Sequence, residues 1–246
     1  MYRGIIMNRK IAEIINWLKN YNKETKTDGF VLGLSGGIDS ALVAALCEKA
    51  NPGNTLGVIM PCHSDPQDAK DAHLIAKKIG LKTVEVNLDS TFDVMYAELT
   101  NRSSDENKVA KANIKPRLRM TTLYYYSNLY NKLVVGTGNR DERYVGYFTK
   151  WGDGAADIMP ITHLSKEEVY NHSKILDIPE RIINKAPSAG LWANQTDEKE
   201  MGFSYQMIDN YIKGKDVPMD IKDKIKKMHK NSRHKFRLPA TFEDDR

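Results

Sequence analysis

The stretch FVLGLSGGIDSALVAALCEKA, Phe30 to Ala50, runs from one apolar segment through Ser35-Gly36-Gly37 into another. Phe30–Leu34 reads as a buried strand and Ser40–Ala50 as a helix, so the glycines, the serines and Asp39 fall at a strand-to-helix turn. Glycine lets a backbone approach a ligand closely, and successive N–H groups at a helix N-terminus favour negative charge. Ser35 and Ser40 add hydroxyl donors. Asp39 would repel a phosphate unless a magnesium ion lay between them, and magnesium commonly joins one or two carboxylates to phosphate oxygens. The Gly-Lys-[Ser/Thr] ending of a Walker A loop is missing, with Ile38-Asp39-Ser40 in its place, and the turn is not GxGxxG either. It reads as a phosphate cradle, with a bare connection as the alternative.

Outward from this turn, the pattern alternates. Ile11, Ile14, Ile15 and Leu18 recur at helical spacing over 8–21. TLGVIM (55–60) and KTVEVNL (82–88) read as strands, and DPQDAKDAHLIAKKIG (65–80) as the helix between them, stopped at Gly80. A long helical stretch from about Asp105 to Asn131 precedes KLVVGT (132–137), a fourth strand, and DIMPI (157–161) is a short candidate fifth. Strands separated by helices imply parallel pairing through crossovers. The expected fold is α/β: a doubly wound, mainly parallel five-stranded sheet with helices on both faces. Further helices are expected over 166–176, 198–213 and 221–230, around a long segment of turn formers, NKAPSAGLWANQTDEKEMG. Loops of that length inside a domain are usually functional or disordered.

Composition narrows the class. The chain has 246 residues, enough for a proper core, and is 41% hydrophobic and 28% charged, as soluble domains are. No apolar run approaches the ~20 residues that span a bilayer, so no membrane partner is expected. MYRGIIMNRK has no apolar core followed by a cleavage site, so no secretory leader is expected either. Of the two cysteines, Cys47 reads as a core residue and Cys62 as a loop residue. Neither has metal-ligand spacing, so disulfide and structural zinc are not expected and a reducing cytoplasm fits. The net charge is +5, and much of the basic excess collects in KDKIKKMHKNSRHKFR, Lys222 to Arg237, which suits an anionic ligand.

LSGGIDS resembles the pyrophosphate loop of the N-type ATP pyrophosphatases. Within that superfamily, NIKPRLRMTTLYYYSN, VVGTGNRDE, GYFTKWGDGAADIMPI, KAPSAGLWANQTDEKEMGFSY and NSRHKFRLP resemble the ammonia-dependent NAD synthetase family across nearly the whole chain. The resemblance implies an adenine-nucleotide alpha-hydrolase-like fold and a two-step reaction. The nicotinate carboxylate of deamido-NAD attacks the α-phosphorus of ATP, and ammonia then displaces AMP from the mixed anhydride.

By resemblance, ATP is held by Gly33, Leu34, Ser35, Gly36, Gly37, Ile38, Asp39, Ser40, Thr137, Lys166 and Ser188, and Mg²⁺ by Asp39 and Glu142. Deamido-NAD falls to Asn113, Arg117, Tyr124, Lys150, Asp153, Asp157, His234 and Lys235, at a homodimer interface formed by the long helix. Asp153 and Lys166 are the expected catalytic residues, with Asp153 a candidate base for ammonium. Pro116 fits only in a first helical turn, which places the helix start near Asn113. Pro61–Asp68 and Lys185–Tyr205 match two loops that close over ATP, and no residue of the first is assigned. Residues 1–246 are expected to form one domain without a glutamine-hydrolysing part, so ammonia would arrive free or from a separate partner.

Two other readings stay open on the sequence. A tRNA-modifying ATP pyrophosphatase suits the basic tail, although the cysteines do not fit sulfur transfer, and no nucleic-acid partner is expected. A nucleotide sensor without turnover is the other.

Overall fold

The computed structural model describes residues 2–101, 107–188, 190 and 196–242. In chain order the elements are α1 (Tyr2–Glu24), β1 (Phe30–Gly33), α2 (Ile38–Ala50), β2 (Thr55–Ile59), α3 (Pro66–Ile79), β3 (Lys82–Glu85), α4 (Asp89–Thr100), α5 (Lys108–Ala112), α6 (Ile114–Leu129) and β4 (Leu133–Val134). They continue as α7 (Arg140–Val145), α8 (Lys166–Ile175), α9 (Glu180–Ile183), α10 (Asp197–Met201), α11 (Tyr205–Ile212), α12 (Met219–Ser232) and a final 3-10 turn, Arg233–Lys235. The strands form one parallel sheet in the order β3-β2-β1-β4. Chain order therefore reverses direction between β1 and β4, the kind of switch point where α/β sheets bind ligands beyond their strand ends.

Successive side chains on a strand face opposite ways, and here both faces are buried. Phe30, Leu32, Ile59, Leu133 and Val135 join a core with α1, α2, α3, α8 and α9. Val31, Val58 and Val134 join a second core with Phe92 of α4 and Ile114 of α6. Such two-sided burial is why these strands read as continuous apolar runs. A third cluster, built on Val145, Phe203, Tyr205, Ile208, Ile221 and Ile225, packs α7, α11 and α12 together. Among the described residues no helix is long and apolar enough to cross a membrane.

Three of the expected elements come out differently in the structure. The sheet has four strands among the described residues, and the expected fifth reduces to one parallel bridge, Val135–Ile158. The segment starts to pair, with Gly136 N–H donating to Ile158 O at 2.8 Å, but Pro160 has no N–H to carry a ladder further. The expected long helix is two helices, α5 and α6, meeting at Asn113; the part of that expectation at 105–106 lies outside the described residues. Pro116 stands in the first turn of α6, as its chemistry requires. The helix expected over 198–213 is likewise split at Gly202, whose φ of +78° caps α10.

Candidate active site

The glycine turn lies at the carboxyl end of β1, in the centre of the sheet. Gly36 has φ +77°, and a Cβ there would meet the Asp68 carbonyl oxygen at 2.4 Å. The position therefore needs glycine twice over: for the left-handed backbone and for the close seat on α3. Gly37 caps α2 without any side-chain hydrogen bond to the helix N–H groups. Ser40 Oγ donates to Gly37 O at 3.0 Å and lies 3.0 Å from Ser35 Oγ, which accepts from Gly37 N–H at 3.3 Å. The turn is thus braced from inside while the first N–H groups of α2 have no side-chain cap.

Asp39, in the first turn of α2, faces residues from the carboxyl end of β4. Asn139 caps α7 through a reciprocal box with Glu142, and its Nδ2 also donates to Asp39 Oδ1 at 3.0 Å. Lys166 opens α8, where Ser165 and Glu168 form a second capping box. Its Nζ donates to Asp39 Oδ2 at 2.5 Å and lies 3.5 Å from Glu142 Oε1. Three residues distant in sequence, Asp39, Glu142 and Lys166, so converge on one point beside the glycine turn. Lys166 is buried, with 3% of its surface exposed. Burial opposes its charge, but Asp39 and Glu142 outweigh it and hold the ammonium above the ordinary lysine range. Burial first, and then the Asp39 carboxylate, push Glu142 up to about 7.

Beneath this trio, Asp141 is buried and accepts from the Lys166 backbone N–H at 2.8 Å, while Arg140 bonds Asp141 and Asp209. That network fixes the start of α8 against α7. Thr137 sits between β4 and α7 on the same edge. Ser188 is exposed; its described contact is with the N–H of Gly190, at 3.1 Å.

Six of the eight residues expected at the dinucleotide gather around the turn at 146–154. Thr149 Oγ1 donates to Asn113 Oδ1 at 2.7 Å, and Thr149 N–H donates to Asp153 Oδ1 at 2.9 Å. Arg117 reaches Lys150 O at 3.4 Å, Lys150 Nζ donates to His234 O at 2.8 Å, and Lys235 Nζ donates to Gly146 O and Phe148 O, both at 2.7 Å. Tyr124 and Asp157 form a separate pair, Oη to Oδ1 at 3.2 Å, anchored to the sheet where Asp157 Oδ2 accepts from Val134 N–H. Both cysteines, Cys47 and Cys62, are buried.

Sequence reasoning missed several groups at this edge. Tyr205 Oη lies 3.1 Å from Glu142 Oε1 and 2.7 Å from Asp197 Oδ2, and Lys166 Nζ stands 4.8 Å from the centroid of its ring. Burial and those carboxylates hold the phenol far above its usual range, so it remains a donor. Arg119 donates to Met60 O at 3.2 Å and Ser64 Oγ at 3.0 Å, tying the first loop to α6. Asn139 carried a legible signal, since Asn-x-x-Glu is a capping-box pattern. Tyr205 and Arg119 carried none.

Among the described residues no group of three or more His, Cys, Asp or Glu could hold a metal ion. Two carboxylates are nevertheless a donor set that magnesium takes, because it keeps waters and phosphate oxygens in its remaining positions.

Comparison with known proteins bears on what this arrangement does. The NAD synthase family matches residues 10–239. An NH(3)-dependent NAD(+) synthetase from Carboxydothermus hydrogenoformans is 50% identical over 231 residues, 94% of this chain and 95% of the relative. The solved structure of an NMN synthetase from Francisella tularensis superposes with a TM-score of 0.90 at 40% identity, covering 96% of this chain and 98% of that one. That of an NH3-dependent NAD synthetase from Campylobacter jejuni, in complex with nitrate, does so at 0.81 and 28%, covering 96% and 99%. The chain belongs to the NAD synthase family, and its reaction is that of the ammonia-dependent enzymes: ATP-dependent amidation of deamido-NAD to NAD through an adenylated intermediate, a ligase reaction that forms a C–N bond.

Proposed function

We propose that the edge formed by the glycine turn, Asp39, Glu142 and Lys166 holds ATP, and that the 146–154 turn with α6 holds deamido-NAD. The convergence of Asp39, Glu142 and Lys166 beside the turn carries this reading. Gly33 to Ser40, with Thr137 and Ser188, surround the triphosphate, and N–H groups at the start of α2 take up the charge that collects on departing pyrophosphate. Magnesium, when bound by Asp39 and Glu142, supplies further charge neutralisation there. Lys166 is placed to pair with phosphate oxygens. Asn113, Arg117, Tyr124, Lys150, Asp157, His234 and Lys235 position the dinucleotide. The substrate carboxylate is itself the nucleophile, so these residues act through orientation and charge. Asp153 lies by the reacting carboxyl and receives a proton from ammonium.

In this reading two copies pair through α4–α6, where Met95, Leu99, Val109, Tyr125, Leu129 and Tyr130 are exposed. Scattered apolar residues are ordinary on a surface, but a contiguous apolar face marks an interface. The enzyme works as one domain in the cytoplasm, with an ammonium salt sufficient as nitrogen donor and no nucleic acid required.

Likeness to an NMN synthetase raises a second acceptor, nicotinate mononucleotide, which has the same reacting carboxyl and lacks the adenylate half. The test is NAD formation from ATP, Mg²⁺, deamido-NAD and an ammonium salt, followed by dehydrogenase coupling, with pyrophosphate release measured in parallel. Product that requires both ammonium and deamido-NAD is expected, at a kcat/KM above that for the mononucleotide. A reversed preference would reassign the acceptor.

Tyr205 supports the same site from behind. Tyr205→Phe keeps the packing and removes the hydroxyl beside Glu142. Groups that orient metal ligands typically contribute about 10–100-fold in metal affinity. The magnesium concentration for half-maximal rate is expected to rise by about tenfold or more, with the KM for deamido-NAD unchanged. An unaltered magnesium titration would show that Tyr205 only packs.

A further inference from the structure

One ammonium outside the set assigned above joins three segments of the site. Lys185 follows α9, and its Nζ donates to Asp68 Oδ1 and Asp71 Oδ2, both at 2.8 Å, and to the carbonyl of Gly36 at 3.3 Å. Asp68 and Asp71 lie in α3, the helix that begins within the Pro61–Asp68 segment. Asp71 is buried and also accepts from Arg181 Nε at 2.7 Å. Burial works against the charge of Lys185, but Asp68 and Asp71 outweigh it and keep the group an ammonium.

The contact with Gly36 has a geometric consequence. A trans peptide is planar, so its C=O and N–H point in opposite directions. The peptide between Gly36 and Gly37 has its oxygen held on the α3 side by Lys185, and its N–H is directed to Ser35 Oγ at 3.3 Å, at the start of α2. Glycine on both sides gives this peptide unusual rotational freedom, because no Cβ opposes a flip. Its orientation is set by what it bonds: Ser35 Oγ at its N–H and Lys185 at its oxygen.

We propose that Lys185 is a positioning residue for the phosphate cradle: it holds the Gly36–Gly37 peptide with its N–H toward the pyrophosphate portion of ATP. The proposal rests on the cradle reading above and deepens it. It also explains why a lysine and an arginine both serve one buried aspartate. Arg181 neutralises Asp71 alone, whereas Lys185 neutralises it and reaches the turn.

The experiment compares Lys185→Met, Lys185→Arg and Arg181→Met by product inhibition with inorganic pyrophosphate, KM for ATP, KM for deamido-NAD and melting midpoint. With Lys185→Met, pyrophosphate inhibition and ATP binding are expected to weaken about tenfold, the loss of one charge-assisted hydrogen bond. The KM for deamido-NAD stays unchanged, and Lys185→Arg recovers most of the loss. Arg181→Met lowers the midpoint without moving pyrophosphate inhibition. If both methionine variants lower the midpoint alike and neither moves pyrophosphate inhibition, Lys185 is only structural and the proposal fails. It fails too if KM rises equally for both substrates. Should Lys185→Met not fold, Lys185→Gln, an uncharged donor, is read in the same way. Ser35→Ala serves as the control for the cradle: if it also leaves pyrophosphate inhibition unchanged, the cradle itself is elsewhere and both readings fall.

Discussion

Asp39→Asn is expected to reduce NAD formation and pyrophosphate release together, by about 10²–10³-fold, as removal of one electrostatic stabiliser of a developing charge does. The substitution is nearly isosteric. The bond from Asn139 Nδ2 to Oδ1 can persist, so the turn and the start of α2 should keep their shape. What changes is charge. Lys166 loses the carboxylate at 2.5 Å and keeps Glu142 at 3.5 Å, and the pair of carboxylates proposed for magnesium becomes one. Coupled assays for NAD and for pyrophosphate read the effect directly. Loss of NAD with pyrophosphate release intact would place Asp39 in the second step, against the present assignment, and undiminished turnover would remove it from the site.

Lys166→Met is the second large effect, and it should register in stability as well as in rate. Removing one partner of a buried ion pair leaves the others uncompensated, at a cost of about 3–5 kcal/mol. Here the exposed consequence is mutual repulsion between Asp39 and Glu142, with Asp197 behind them through Tyr205. For a chain of this size that is a fall in melting midpoint of roughly 10 °C. A divalent cation should offset it, because a ligand that binds only the folded state stabilises that state by mass action. Calorimetry with and without MgCl₂ is therefore expected to show a larger magnesium-dependent gain for the variant than for the parent. A midpoint that falls and does not respond to magnesium would mean that Asp39 and Glu142 are an ion-pair scaffold and not a cation site.

The sequence was most legible where a residue type has few alternatives. Two adjacent glycines after an apolar strand demanded a turn of special geometry, and Gly36 at φ +77° against Asp68 is that turn. Pro116 demanded a helix start, and α6 begins at Ile114. It was least legible where a side chain acts at a distance. Nothing local to Lys185 shows that it meets Gly36 across 149 positions. Nothing beside Tyr205 in the sequence points to Glu142, 63 positions earlier, which the fold sets against its hydroxyl. The helix α4 escaped for a different reason: Val94, Met95 and Leu99 are exposed, so its apolar residues mark no single buried face. Of the second loop, residues 189 and 191–195 lie outside the described structure.

Strand order has a consequence for how activity arises in time. β1 pairs with β4 through Phe30–Leu133 and Val31–Val134, so the central strand finds its last neighbour about a hundred residues later. Long-range pairings of this sort are slow to form because a large loop must close first. A ribosome-bound chain that has emerged only through β3 already has the glycine turn and Asp39, but not Glu142, Lys166 or Lys185. The nascent protein thus carries half of the proposed nucleotide site and none of the groups that complete it. Competence to spend ATP arrives only when the fold closes.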